Sequence, residues 1–286
     1  MRYEAPESID QAVALLAGAS GPARVLAGGT DLLVQLRADM IEPELVVDIK
    51  KLPEVGSITP EDGGFRIGAA VTGAEMGEHA DLCATWPGVV EAVELIGSTQ
   101  IQGRATMAGN LCNASPAADS VPAMIAAGAI VSIAGPDGRR ELPVEQIVTG
   151  PGQTALAKGE MVVSILLPAR PAHSGDAYLR FIPRTEMDIA VVGAGVSLTL
   201  DDGGTCTAAR LGLGAVAATP LLVEEGGAAL IGSKVDAGAL AQLADAASAA
   251  CRPIDDKRGT KEYRIKVAGV LARRAAEIAL ERARGN

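Results

Sequence analysis

The sequence predicts an α+β protein in two parts. Strand and helix patterns alternate through the first 170 residues, whereas adjacent strands followed by three helices fill the remainder. A Pro- and Gly-bearing stretch with a histidine, Pro168 to Gly175, separates a part spanning 1–170 from one spanning 176–286. At about 150 residues per domain, 286 residues match two domains. With 48% apolar residues against 21% charged, the chain can bury a sizeable core.

Each element has a local reason. Ser8-Ile9-Asp10-Gln11 is a capping box, and the helix it opens carries Ala12, Val13, Leu15 and Leu16 before Gly18 ends it. Arg24 to Ala27 reads as a strand running into Gly28-Gly29-Thr30, and a helix from Asp31 to about Asp39 places Leu32, Leu33 and Leu36 on one face. Glu44 to Ile49 is the next strand, after which Pro53 and Gly56 divide the first part into subdomains of about 1–55 and 56–170. Gly64 to Ala70 is a strand, Thr72-x-x-Glu75 caps a helix, and Pro87 to Ile96 forms another with Val89, Val93 and Ile96 at burial spacing. Gly97 to Asp119 is the least regular segment, and a loop of that length inside a domain is usually functional. Ala123 to Gly128 starts a buried helix or strand. Ile130 to Ile133 and Arg140 to Val144 flank a Gly-Pro-Asp-Gly turn, and Met161 to Leu167 is a strand ended by Pro168. In the second part, Ile189 to Leu200 and Cys206 to Val216 pair around Asp201-Asp202-Gly203-Gly204. Helices over about Pro220–Leu230, Gly238–Ala250 and Tyr263–Arg284 follow, the last ending in basic residues that suit the helix dipole.

Composition removes several functions. With 25 Lys+Arg against 35 Asp+Glu the net charge is -10, which disfavours nucleic acid as the main partner. Two Phe, three Tyr and one Trp leave no stacking platform for single strands. The opening MRYEAPESID is not a secretory signal, and apolar stretches such as Pro122 to Gly135 fall short of the about 20 residues of a membrane span. A soluble, cytoplasmic chain is expected. Cys83, Cys112, Cys206 and Cys251 lie far apart without a C-x-x-C, and only two histidines are present. Neither an iron–sulfur cluster nor a zinc site fits that inventory, so no metal site is expected and any redox cofactor here is organic.

Two loops offer binding chemistry. Leu26-Ala27-Gly28-Gly29-Thr30-Asp31-Leu32-Leu33 lies between a strand and a helix, where consecutive glycines turn backbone N–H groups toward one point. An Asp31 carboxylate aimed at a phosphate would repel it, so Asp31 is expected to cap the helix or bond a ligand hydroxyl. The same four residues also make an ordinary tight turn with an Asp cap. The second loop, Thr106 to Asp119, supplies a hydroxyl, Gly109, two amides and Ser115-Pro116 before a helix; its polar groups also have the option of satisfying their own backbone. Together the loops favour a dinucleotide-sized ligand. Neither is a G-x-G-x-x-G with an acidic residue about 20 positions on, and no Walker A sequence occurs.

The pair Ala27-Gly28-Gly29-Thr30-Asp31-Leu32 and Thr106-x-x-Gly109-Asn110-x-x-x-x-Ser115-Pro116-x-x-Asp119 resembles the FAD-binding, or medium, subunit of the molybdenum hydroxylases, the family of xanthine dehydrogenase and carbon monoxide dehydrogenase. The resemblance continues through Gly150-Pro151-Gly152-Gln153-Thr154, Gly159-Glu160, Ile165-Leu166-Leu167-Pro168, Arg180-Phe181-x-x-Arg184-x-x-x-Asp188-Ile189-Ala190, Tyr263-Arg264 and Arg273-Arg274-Ala275. It implies a vanillyl-oxidase (PCMH)-type FAD-binding domain of two α/β subdomains plus a smaller C-terminal α+β domain. It also implies that Ala27 to Asp31, with Leu32 beside them, and Thr106, Met107, Ala108, Gly109 and Asn110 wrap the FAD pyrophosphate. Ser115 and Asp119 then lie beside the flavin and its ribityl chain. Val162, Arg180 and Ile96 align with cofactor-lining positions, although an apolar strand residue is also simply core and Arg180 also reads as a surface charge. Two positions depart from the pattern. Ala108 stands where Gly is usual, and Thr30-Asp31 replaces the His-Ser pair of the carbon monoxide branch, which leans toward the xanthine dehydrogenase branch.

By this resemblance the chain is an electron-transfer subunit of an oxidoreductase. A small partner carries two [2Fe–2S] clusters, a large partner carries molybdopterin, and the three form a dimer of heterotrimers. FAD here passes electrons to NAD or another acceptor, and the protein positions the flavin and sets its potential. No catalytic side chain is assigned. Two other readings remain open: a stand-alone FAD-dependent reductase with its own substrate pocket and proton donor, and a non-redox scaffold that uses the glycine loops as turns. His79 and His173 read as locally bonded, Asp255-Asp256-Lys257-Arg258 as a solvated cap, and Arg273-Arg274 as an exposed face or an interface patch.

Overall fold

Three main sheets and a two-stranded ribbon divide the chain, and the helices between the sheets follow from how each must be wired. In the computed structural model, which describes residues 1–286, the first unit comprises β1 (Arg2–Glu4), α1 (Ile9–Gly18), β2 (Ala23–Leu26), α2 (Leu32–Arg37) and β3 (Leu45–Asp48). Its strands run parallel in the order β1-β3-β2. Parallel neighbours need crossovers, and α1 and α2 supply one each. The Ser8 Oγ accepts the Gln11 N–H at 3.2 Å, and Gln11 in turn accepts the Glu7 N–H at 2.9 Å, so the capping box is displaced by one residue. Ile9, Ala12, Val13 and Leu16 then face the core.

The second unit is antiparallel. It comprises β4 (Ile58–Glu61), β5 (Gly64–Gly68), α3 (Gly73–Glu78), α4 (Ala80–Thr85), α5 (Pro87–Glu94), α6 (Thr99–Gln102), α7 (Met107–Cys112), α8 (Ser120–Ala127), β6 (Ile130–Gly135), β7 (Gly138–Pro143), β8 (Val148–Gly150), β9 (Gln153–Thr154) and β10 (Met161–Leu167). The five main strands take the order β4-β5-β10-β6-β7, with β8 and β9 a separate ribbon. Central β10 is apolar almost throughout because both of its faces are covered.

Three sequence expectations change here. Gly97 to Asp119 is not a continuous loop, since it contains α6 and α7; helices of four and six residues are too short to show a helical period. β4 was unsignalled because Pro60 lies in it, and it is an edge strand, where proline is tolerated. Finally, α2 buries none of its residues, and Leu33 is 54% exposed. The face expected from Leu32, Leu33 and Leu36 has no core beneath it.

The third unit comprises β11 (Ser174–Phe181), β12 (Val192–Leu200), β13 (Cys206–Gly214), β14 (Leu221–Leu222), α9 (Glu224–Leu230), α10 (Ala237–Ala250) and α11 (Lys261–Gly285). Its antiparallel sheet has the order β11-β12-β13-β14, covered by α11 on β11 and β12 and by α9 on β13, with α10 packed on both helices. β11 begins inside the stretch expected to be a boundary. Ser-Gly-Asp-Ala lacks β-branched residues and carries a buried Asp176, so composition concealed the strand. No helix is long and apolar enough to cross a membrane.

The units meet along α8, whose eight residues are all buried. It lies on β12 and β13 where Gly195 and Gly212 pair across the strands. A Cβ at Gly212 would stand 2.2 Å from the Pro122 carbonyl oxygen, so the sheet must be bare there. Two buried ion pairs flank this contact. Arg180 donates to Asp119 at 2.9 Å and to the Leu95 carbonyl at 2.8 Å, while the Tyr178 hydroxyl donates to the other Asp119 oxygen at 3.1 Å. Arg170 donates to Asp176 at 2.8 Å and its guanidinium sits 4.5 Å over the Trp86 ring.

Burial outweighs the arginines at both carboxyls and pushes each up to about 6. The unfolded chain releases these protons near the ordinary value of 3.8, before the folded chain does. Both groups therefore remove stability as pH rises from about 4 to about 6, and the effect is level outside that window. Asp119→Asn or Asp176→Asn is expected to flatten this contribution. The stability of the unaltered chain relative to either variant should fall across the window in pH-resolved urea titrations, and a constant difference would contradict the assignment.

Candidate functional site

The two glycine loops meet backbone to backbone. After β2 the chain turns through Gly28 and Gly29, the latter at φ 78°. A Cβ on Gly28 would lie 1.7 Å from the Arg104 carbonyl oxygen, so no other residue permits the approach. The second loop is held from below, where the Gly73 N–H donates to the Ala105 carbonyl at 2.9 Å, beside the Thr72–Glu75 capping box. Thr106 then caps α7, its Oγ1 accepting the Gly109 N–H at 2.9 Å. The Asn110 Oδ1 accepts from the Ser120 N–H at 3.1 Å and hydroxyl at 2.7 Å, which ties α7 to α8.

The amides left over define what the loops can bind. Those of Gly28, Gly29, Thr30 and Asp31 have no acceptor in the protein, and neither have those of Met107 and Ala108. Consecutive N–H groups without partners form a concavity suited to a phosphate. The carboxylate of Asp31 makes no cap bond to α2, so of its two expected roles the helix cap is not realised. Desolvation raises its pKa.

These loops form one wall of a cavity of about 680 Å³, in the range of small-molecule and cofactor sites. Ala27 through Leu32 line it together with Thr106, Ala108, Gly109, Asn110 and Val162. Met107, Ser115, Asp119 and Arg180 do not. Met107 is a core residue of α7, and Ser115 accepts the Ala117 N–H at 3.3 Å in a local turn. Asp119 and Arg180 are spent on each other at the interface of the units, so Arg180 is neither the surface charge nor the cavity contact that the sequence offered.

Of the further wall supplied by residues 152–162, sequence reasoning named only Val162; it missed the rest of that stretch, including the cation Lys158, and it missed Arg24, and neither cation forms an ion pair. Glu160 fixes that wall: it accepts from Arg140 at 2.6 and 2.7 Å and from the Ala157 N–H at 2.7 Å. Those bonds hold its carboxyl below the usual range, so it stays ionised and paired. Cys112 opens onto the cavity, yet desolvation in the cleft pushes its thiol up to about 12, which makes it a poor nucleophile. His79 accepts the Leu82 N–H at 3.2 Å as the cap of α4, a local role.

Known proteins resemble this chain over nearly its whole length. Residues 1–170 fit the model of the FAD binding domain in molybdopterin dehydrogenase, and residues 177–279 fit that of the CO dehydrogenase flavoprotein C-terminal domain. The chain is 37% identical to the carbon monoxide dehydrogenase medium chain of Afipia carboxidovorans, covering 99% of this chain and 97% of that one. It is 30% identical to the xanthine dehydrogenase FAD-binding subunit of Escherichia coli O157:H7, with the same coverage of 99% and 97%. The solved structure of reconstituted CO dehydrogenase from Oligotropha carboxidovorans superposes with a TM-score of 0.94 at 37% identity, covering 99% of this chain and 98% of that one. Overall identity thus runs against the branch toward which Thr30-Asp31 leaned.

Gly28→Ala is expected to force the loops apart, at a cost of about 1–3 kcal/mol in urea unfolding, and to weaken FAD binding at least about tenfold. Gly18→Ala, whose Cβ would meet nothing within 4 Å, should leave FAD binding unchanged. Equal FAD affinity in both variants would contradict the role assigned to the Gly28 contact.

Proposed function

Since the chain belongs to the FAD-binding medium subunits of the molybdenum hydroxylases, we infer that it is the electron-transfer component of an oxidoreductase complex, receiving electrons from [2Fe–2S] clusters of a small partner subunit and delivering them to NAD or another acceptor. The observation that carries this reading is the run of partnerless amides in two touching loops at the wall of a cofactor-sized cavity. The amides of Gly28 to Asp31 and of Ala108, which line the cavity, would hold the FAD pyrophosphate without a basic side chain. Arg24 and Lys158 add long-range attraction for an anionic ligand. Asp31, free of the helix, is suited to accept from a cofactor hydroxyl. Ile96, Ala69 and Val162 supply an apolar stretch of wall against which a planar ring packs. Bound FAD would supply stepwise electron transfer between a one-electron donor and a two-electron acceptor.

The chain's own groups favour a relay over a stand-alone reductase. A reductase of its own substrate needs a proton donor at the cavity; Glu160 is locked to Arg140, and the one uncapped carboxyl there, Asp31, is assigned above to a cofactor hydroxyl. The large molybdopterin subunit would then hold the substrate, and two heterotrimers would associate in the cytoplasm.

The visible absorption spectrum of the purified chain is expected to show flavin bands, and heat is expected to release FAD. A chain purified without colour should take up added FAD and gain about 2.7 kcal/mol of stability at a hundredfold excess over Kd. Anaerobic NADH is expected to bleach the bound flavin. Failure to bind FAD by either route would overturn the reading, and bleaching by other donors alone would reassign the acceptor.

A further inference from the structure

The segment between Gly29 and Glu42 is weakly attached to the rest of the protein. Its helix, α2, buries no residue and makes no extensive contact with another helix or strand. Leu33, Val34 and Met40 are 54%, 62% and 70% exposed. A helix of six residues does not sustain itself in water and needs a packed face. Here Leu32, Gln35, Met40 and Ile41 line the cavity itself. Every backbone hydrogen bond donated within the segment stays inside it, as from Leu33 to Gly29 at 2.9 Å and from Met40 to Gln35 at 3.0 Å. A single hydrogen bond leaves it, from the Gln35 Nε2 to the Asn113 Oδ1 at 2.9 Å. Asn113 is the C-cap of α7, on the opposite glycine loop.

Both ends are fixed by contrast. Gly28 is locked against the Arg104 carbonyl. The Glu44 N–H donates to the Pro22 carbonyl at 2.8 Å, and the Glu44 carboxylate accepts from Ser20 and Gly21. Left-handed backbone occurs at Gly29, φ 78°, and at Asp39, φ 54°, just inside those anchors. Firm ends, left-handed residues beside them, an unpacked middle and one cross-cavity bond describe a hinged flap.

We propose that residues 29–42 are a lid, latched across the cavity by the Gln35–Asn113 hydrogen bond, which opens to admit FAD and packs its inner face only when the cofactor is in place. The proposal rests on the FAD reading above. Without a ligand the lid has the latch and little else, and an ordinary hydrogen bond of about 1 kcal/mol favours closure only about fivefold. With FAD beneath it, Leu32 and Ile41 gain the packing partner that the fold does not provide.

Hydrogen exchange on the full chain reads the lid directly. The amides of Leu33, Gln35, Ala38 and Met40, all hydrogen-bonded within the segment, are expected to exchange rapidly without FAD and to slow at least about tenfold with it. Gln35→Ala and Asn113→Ala are each expected to speed FAD dissociation about fivefold, and the double variant no further, because both remove one bond. Equal protection of those amides with and without FAD, or a double variant in which the two effects multiply, overturns the lid while FAD binding stands. A full chain that takes up no FAD at all overturns the proposed function, and the lid with it.

Discussion

The contact on which the site depends is that between Gly28 and the carbonyl of Arg104. It joins a parallel sheet unit to an antiparallel one, and these share no strand. Each unit alone ends a loop at its own edge with amides facing outward. Brought to van der Waals distance, the two loops aim those amides into one cleft, and neither could do so with a side chain at position 28. The same proximity explains why the loops carry so few basic residues. A concavity of N–H groups concentrates positive potential without the desolvation that a buried lysine or arginine requires.

Behind that contact, the third unit acts as a backing. α8 is pressed between the second unit and the bare strip of β12 and β13, so the start of α8 cannot move without disturbing the sheet. Asn110 reaches the first residue of α8 through Ser120, and Asp119, one residue earlier, is held by Arg180 and Tyr178 of β11. The cavity wall is therefore braced across the unit boundary, through polar groups that are buried and satisfied. Such pairs add little net stability compared with apolar packing, but leaving one member alone is costly, which fixes a single relative placement of the units.

The elements legible in the sequence were those with complete local signals. The capped α1, the hairpin at Pro136-Asp137, the strand from Met161 to Leu167 and the long C-terminal helices all carry caps, turns or sustained periodicity. What was hidden had its cause elsewhere in the chain. β11 is a strand because β12 and α11 cover it, not because Ser-Gly-Asp-Ala favours strands. The glycine loops were visible as binding candidates, yet of the wall at 152–162 only Val162 was, since its glycines and Lys158 acquire meaning only when the chain around β9 is brought to the cleft. Asp119 and Arg180 show the converse. Their chemistry was legible, but the sequence could not say that they lie within reach of each other, and a pair 61 residues apart is settled by tertiary structure alone.

The exception to local consistency is α2. Its leucines at helical spacing promise a buried face, and every other helix with such a pattern in this chain has one. A local rule that fails at one place, beside a cofactor-sized cavity, is where functional demand overrides folding demand. If α2 were packed on the protein, its inner residues would fill the cleft and displace any ligand. If it were polar, the cavity would lack an apolar wall on that side. The apolar yet unpacked helix satisfies both requirements, and the cost is a segment that the rest of the fold does not hold in place.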